Sequence, residues 1–200
     1  MPVVIDESYL PARLTASAMN DEEFGTFCSE HPDCFIEMTA DGELIIMPPA
    51  YWLTAARGGE ILYQLKAWAH QNGQGLVVDA SGGFRVPNGA RRSPDAAWIS
   101  RGRIAGMTLT GPGRTWLVCP EFVIQLRSET DRLAEVRRKM REWTANGAQL
   151  GWLVDPERHA LEVYREGREP QVFTGVESMA GEGMLAGFTL DLKLVWNPLA

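Results

Sequence analysis

The chain has 200 residues, 45% of them hydrophobic, which is enough to bury a real core within one domain, and its net charge of −7 argues against a protein that coats nucleic acid indiscriminately. No stretch approaches the roughly 18 apolar residues of a membrane span, and the start Met1-Pro2-Val3-Val4-Ile5-Asp6-Glu7 lacks the basic and apolar regions of a signal peptide. No membrane partner and a cytoplasmic location are therefore expected. The three cysteines, Cys28, Cys34 and Cys119, are an odd number without disulfide-framework spacing, which fits a reducing compartment. Cys28-x-x-His31-x-x-Cys34 offers three zinc ligands with no matching pair elsewhere and reads as a loop with semi-buried thiols.

A single domain is expected over 1–200, with a helical and hairpin extension to about residue 50 and a core over about 51–200. Asn20 to Ser29 reads as a short helix capped by Asn20 or Asp21, with Phe24 and Phe27 on one face. Asp41-Gly42 is a hairpin turn ahead of the strand Glu43–Met47, which Pro48-Pro49 closes. From Ala55 to Gln71, the residues Ile61, Leu62, Leu65, Trp68 and Ala69 recur at helical spacing with Glu60 beside the stripe, and Asn72-Gly73 ends the run. Short strands follow at Leu76–Asp79, Phe84–Val86 and Ala96–Ile99, and Ser100 to Arg114 reads as a mobile loop rich in Gly and Arg.

Phe122 to Leu126 is an apolar run broken only by Gln125, so it predicts a central strand covered on both faces. Asp131 is placed to cap a helix reaching Asn146, with Leu133, Val136, Met140 and Trp143 on one face, Lys139 just off that face and Gly147 past the end. Leu150–Val154 and Leu161–Tyr164 are further strands joined by the turn Asp155–Arg158. The order strand, helix, strand over 122–154 requires a parallel crossover, so the class is α/β or α+β with a mixed central sheet flanked by helices.

Charge is uneven along the chain. Residues 85–141 carry twelve Arg and Lys against five Asp and Glu, a net +7 inside an acidic protein, the pattern of a cleft that draws an anion or of solvated arginine faces. Within this segment Asp95, Gln125, Arg127 and Lys139 stand at the ends of apolar runs. Phosphodiester hydrolysis needs charge stabilised on phosphate oxygens and a deprotonated water, which a divalent ion and a nearby cation supply. Asp95, the Gln125 side chain and the carbonyl of Leu126 make an oxygen ligand set of the kind Mg2+, and also Mn2+, accepts. Taken singly the same residues have plainer readings: Asp95 as a strand-entry residue, Gln125 as an amide satisfying buried backbone, and Arg127 and Lys139 in salt bridges with Glu129 or Glu135. Asp155 beside Pro156 reads as a turn residue.

The linked motifs Gly82-Gly83-Phe84-Arg85-Val86-Pro87-Asn88-Gly89 through Pro94-Asp95-Ala96-Ala97-Trp98, then Pro120–Ser128, Asp131, Lys139-Met140 and Asn146–Pro156 resemble the Uma2 family of restriction-endonuclease-like proteins, from about Phe35 to the carboxyl terminus. The resemblance implies the fold of PD-(D/E)xK nucleases and metal-dependent cleavage of DNA. It implies metal binding at Asp95 and position 125, a supporting acidic role for Glu60, and the catalytic cation at Lys139, with Arg127 at the strand position where other superfamily members carry that lysine. The family pattern has glutamate at 125, where this chain has glutamine, so a nucleic-acid-binding relative with an impaired site is the alternative. A third class, a homodimeric interaction protein, is suggested by seven tryptophans and the apolar segment Met184 to Leu194.

Overall fold

The computed structural model describes residues 10–15, 19–72, 74–106 and 115–200. In chain order the elements are β1 (Ala12–Thr15), α1 (Asp21–Glu30), β2 (Phe35–Met38), β3 (Glu43–Met47), α2 (Trp52–Asn72), β4 (Gly75–Asp79), β5 (Gly83–Arg85), β6 (Arg91–Arg92) and β7 (Ala96–Ser100). There follow α3 (Arg101–Ala105), β8 (Thr115–Leu117), β9 (Phe122–Leu126), α4 (Leu133–Ala145), β10 (Leu150–Asp155), β11 (Ala160–Arg165), β12 (Gln171–Thr174), β13 (Ser178–Ala180), β14 (Thr189–Asp191) and α5 (Lys193–Trp196). The chain forms two compact units, one of Met1–Pro49, Ser81–Ser93 and Met107–Val118, the other of Ala50–Ala80, Pro94–Gly106 and Cys119–Ala200.

The first unit is built on a six-stranded sheet in the order β1-β3-β2-β6-β5-β8. Its helix α1 starts as the sequence predicts: the Asn20 side chain accepts from the amides of Glu22 and Glu23, and Glu23 returns a bond to the Asn20 amide, closing a capping box. Phe24 and Phe27 turn inward to pack with Met38, Leu44 and Ile46. Arg91 and Arg92 form a short strand that the sequence pattern does not announce, because buried arginines belong there only when paired. Arg91 meets Asp21 at 2.6 Å and lies over the Phe24 ring, and Arg92 meets Glu37 at 3.1 Å.

The second unit is built on a sheet in the order β12-β11-β10-β9-β7-β4, with β9 and β10 parallel and the other pairs antiparallel. This is the mixed α+β architecture expected, and every residue of β9 and β10 is buried. Alternation sends Phe122, Ile124, Leu126, Trp152 and Val154 to one face, where Ile61, Leu65 and Ala69 of α2 meet them. The segment after residue 184 completes that core. Leu185, Phe188, Leu190 and Leu192 are all buried, and Phe188 stacks on Trp152 with ring centroids 5.8 Å apart. The apolar carboxyl-terminal run is thus this unit's own core rather than a surface for a neighbour, each leucine contributing about 1.5–3 kcal/mol by burial.

Helix α4 covers the opposite face. Gly151 makes room for it: a Cβ there would lie 2.5 Å from Cε of Met140. The helix does not start on Asp131, whose Oδ2 accepts from the amide and hydroxyl of Ser128 instead; Arg132 occupies the cap position without a side-chain cap. It ends as predicted, Gly147 (φ 107°) and Ala148 donating to Thr144 and Trp143 in a Schellman arrangement. Ser100 caps the short helix α3 by accepting from the Arg103 amide, so the expected loop after 100 begins as helix, and 107–114 lie outside the described residues. Burial pushes the Cys119 thiol up to about 12, which keeps it protonated.

Candidate active site

Residues that share the α4 face of the second sheet form a row across its strands. Gln125 of β9 is paired with Leu153 of β10, which is paired with Glu162 of β11. On the other side, β7 pairs with β9 as far as Ala96 opposite Ile124, and Asp95 immediately precedes that last pair. Pro94 has no N–H, so the ladder cannot run on through it. The Asp95 amide still donates to the Ile124 carbonyl at 3.1 Å, and the Asp95 carboxylate takes the Leu126 amide at 2.8 Å through Oδ2. The Pro-Asp dipeptide thereby turns a strand end into a carboxylate aimed at the 125–126 peptide. Gln125 is buried and Asp95 half-buried.

Lys139 is half-buried on α4, the helix over this face. Glu60 is half-buried on α2, the helix over the other face. It accepts from Gln64 at 2.8 Å, and Gln64 in turn bonds the amide and carbonyl of Asp191, which draws Glu60 into the packing of α2 against β14. Arg127 follows β9 and is held on several sides. Its Nε donates to the Asp131 carbonyl, and one terminal nitrogen lies 3.2 Å from both Asp155 oxygens and 2.7 Å from Glu157. The salt bridges anticipated with Glu129 give way to these longer-range ones.

Asp155 ends β10 and opens the turn Pro156–Arg158 as expected, but it is also fully buried, paired with Arg127 and, at 3.7 Å, with Arg158. Next to it Glu162, also buried, accepts two bonds from Nε of Arg137 at 3.0 and 3.1 Å, one from its terminal nitrogen at 2.5 Å, and one from the Tyr164 hydroxyl at 2.8 Å. Burial alone would raise the Glu162 carboxyl; the bonds from Arg137, Tyr164 and Arg158 outweigh it and hold the group below the ordinary glutamate value. The same pairing raises Arg137. Sequence reasoning missed this cluster although Glu162 interrupts an apolar strand just as Gln125 does.

At least six of the twelve cations in the basic centre are paired with carboxylates of the chain. Arg85 and Arg91 are held by Asp21, Arg92 by Glu37, Arg103 by Glu121, Arg127 by Asp155 and Arg137 by Glu162. Asp95, the Gln125 amide and the Leu126 carbonyl are hard oxygen donors, which suits Mg2+ or Mn2+ rather than zinc. Among the described residues no three His, Cys, Asp or Glu gather so as to hold a metal ion, so a cation here would draw its remaining ligands from water and from substrate phosphate. Also among the described residues, no helix is long and apolar enough to cross a membrane.

The crystal structure of a "putative nuclease belonging to DUF820" from Anabaena variabilis has the same fold, with a TM-score of 0.70 at 19% sequence identity over 82% of this chain and 91% of that one. The model of the Uma2 family, described as "Putative restriction endonuclease", matches residues 21–193, and the chain belongs to that family. No curated protein matches it.

Proposed function

We propose that the protein is a divalent-metal-dependent endonuclease that hydrolyses DNA phosphodiester bonds at the Asp95–Gln125 edge of the second unit's sheet. The observation that supports this reading most is the placement of the Asp95 carboxylate, fixed by the Leu126 amide, against the end of the strand that carries the buried Gln125. Asp95 is the anchoring carboxylate of the site; Gln125 and the Leu126 carbonyl are its neutral ligands. A divalent ion bound there supplies stabilisation of charge on the phosphate oxygens and a more acidic bound water. Lys139 is the catalytic cation, its ammonium set against the scissile phosphate or its attacking water. Glu60 supports the site with negative charge at longer range. Arg127 acts indirectly, by fixing the end of β9 against β10 and the start of α4.

With a single anchoring carboxylate, affinity for the ion is weak in the free protein and completed by substrate. Neutral Gln125 also favours a second reading, in which the edge binds nucleic acid without cutting it. Nicking of supercoiled plasmid with Mg2+ or Mn2+ separates the two. The nuclease reading predicts nicking by the natural chain that Asp95→Ala abolishes and Gln125→Glu increases. Nicking seen only after Gln125→Glu would establish the second reading.

A further inference from the structure

Helix α2 carries an outward stripe that the described structure leaves uncovered. Trp52, Ala55, Ala56, Gly59, Tyr63 and Lys66 are all exposed, Trp52 and Tyr63 each at 68%. Gly59 lies inside a 21-residue helix, where glycine is the least favourable residue after proline, and a Cβ placed there meets nothing within 4 Å. Packing among the described residues gives no reason for a glycine at 59, but close approach of another backbone does.

We propose that this stripe is the two-fold interface of a homodimer, with α2 packed antiparallel on α2 of a second copy and crossing it at Gly59. Symmetry about position 59 sets residues equally far on either side against one another, so the patch must complement itself, and it does. Trp52 faces Lys66 of the second copy, where an ammonium lies over the indole face and its alkyl stem covers the ring. Tyr63 faces Ala55, with Ala56 beside it, so a large side chain enters a hollow left by small ones, as ridges enter grooves between packed helices. The glycine at the centre lets the two axes come close enough for both contacts. Lys66 is the one cation among these exposed residues, too few for a surface that must neutralise a run of phosphates.

Sedimentation velocity on the full chain, over a dilution series from micromolar protein, tests the interface. A dimer is expected whose dissociation constant rises about tenfold or more in Gly59→Gln and in Trp52→Ala. Gly59→Gln improves helix propensity and places its Cβ in open space, so its melting temperature at monomeric dilution is expected to match or exceed that of the natural chain. Gly59→Cys is expected to cross-link to its own second copy under mild oxidation, and Ala134→Cys, exposed on α4, is not. A chain that stays monomeric throughout, or a dimer indifferent to both Gly59→Gln and Trp52→Ala, would overturn the proposal. So would a monomer whose DNA binding is lost in Trp52→Ala, which would assign the stripe to nucleic acid.

Discussion

Asp155 and Glu162 are buried among guanidinium groups, while Asp95, at the other end of the same face of the same sheet, is oriented by the main-chain amide of Leu126. An arginine that binds a carboxylate bidentately cancels its charge and fixes the two elements that carry the pair. An amide fixes a carboxylate's direction without cancelling its charge. The first arrangement ties together the ends of β9, β10 and β11; the second points a carboxylate at the mouth of a central strand. Arg127 shows the division most clearly. It stands at the strand position where the family resemblance looks for a catalytic cation, and the buried Asp155 holds it in the structural cluster.

If that division is right, activity and stability separate by residue. The largest effect is expected on chemistry: Asp95→Ala should lower the rate of plasmid nicking by about a thousandfold, the several kcal/mol that a bound cation contributes to such a transition state, with a smaller loss of stability than Arg127→Ala brings. Arg127→Ala should do the reverse in denaturant melts, costing about 3–5 kcal/mol because it strips a fully buried carboxylate of its main partner. Equal stability losses in the two variants would erase the distinction between the patches. A smaller loss, about 1 kcal/mol, is expected for Gly151→Ala, whose new methyl forces the end of the buried Met140 side chain to shift.

The smallest effect is one of pH. Glu162 has a folded-state value below its unfolded value near 4.5, so its contribution is fully present above 4.5 and lost as pH falls through the folded value. Stability followed by denaturant melts below pH 4.5 should therefore fall less steeply in Glu162→Gln than in the natural chain. An unchanged acid slope would mean that the Arg137–Glu162 pairing does not hold that carboxylate down.

The parts of this design that were legible in the sequence are those with a local cause. Helical periodicity with Asn20 before and Gly147 after set the limits of two helices to within a few residues, and a single amide inside Phe122–Leu126 marked a buried polar position. Pro94-Asp95 marked the strand entry whose carboxylate takes the Leu126 amide. Long-range pairing was not legible. Asp155 before Pro156 looks like a turn because nothing nearby in sequence announces Arg127, 28 residues away, and Arg91 and Arg92 look solvated because Asp21 and Glu37 lie far upstream. The run from Met184 to Leu194 was recognised as apolar, but apolarity does not say what will cover it, and here the chain covers it with α2 and Trp152.

The central claim is that Asp95 anchors a divalent ion in a site weakened by a neutral residue at 125. Calorimetric titration of Mn2+ into the natural chain, Asp95→Ala and Gln125→Glu tests it directly. The account predicts weak saturable binding to the natural chain, none to Asp95→Ala, and binding tightened by about tenfold or more in Gln125→Glu, the least that one added charge a few ångströms from the ion should contribute. Binding that survives Asp95→Ala unchanged would place the metal elsewhere and contradict the account.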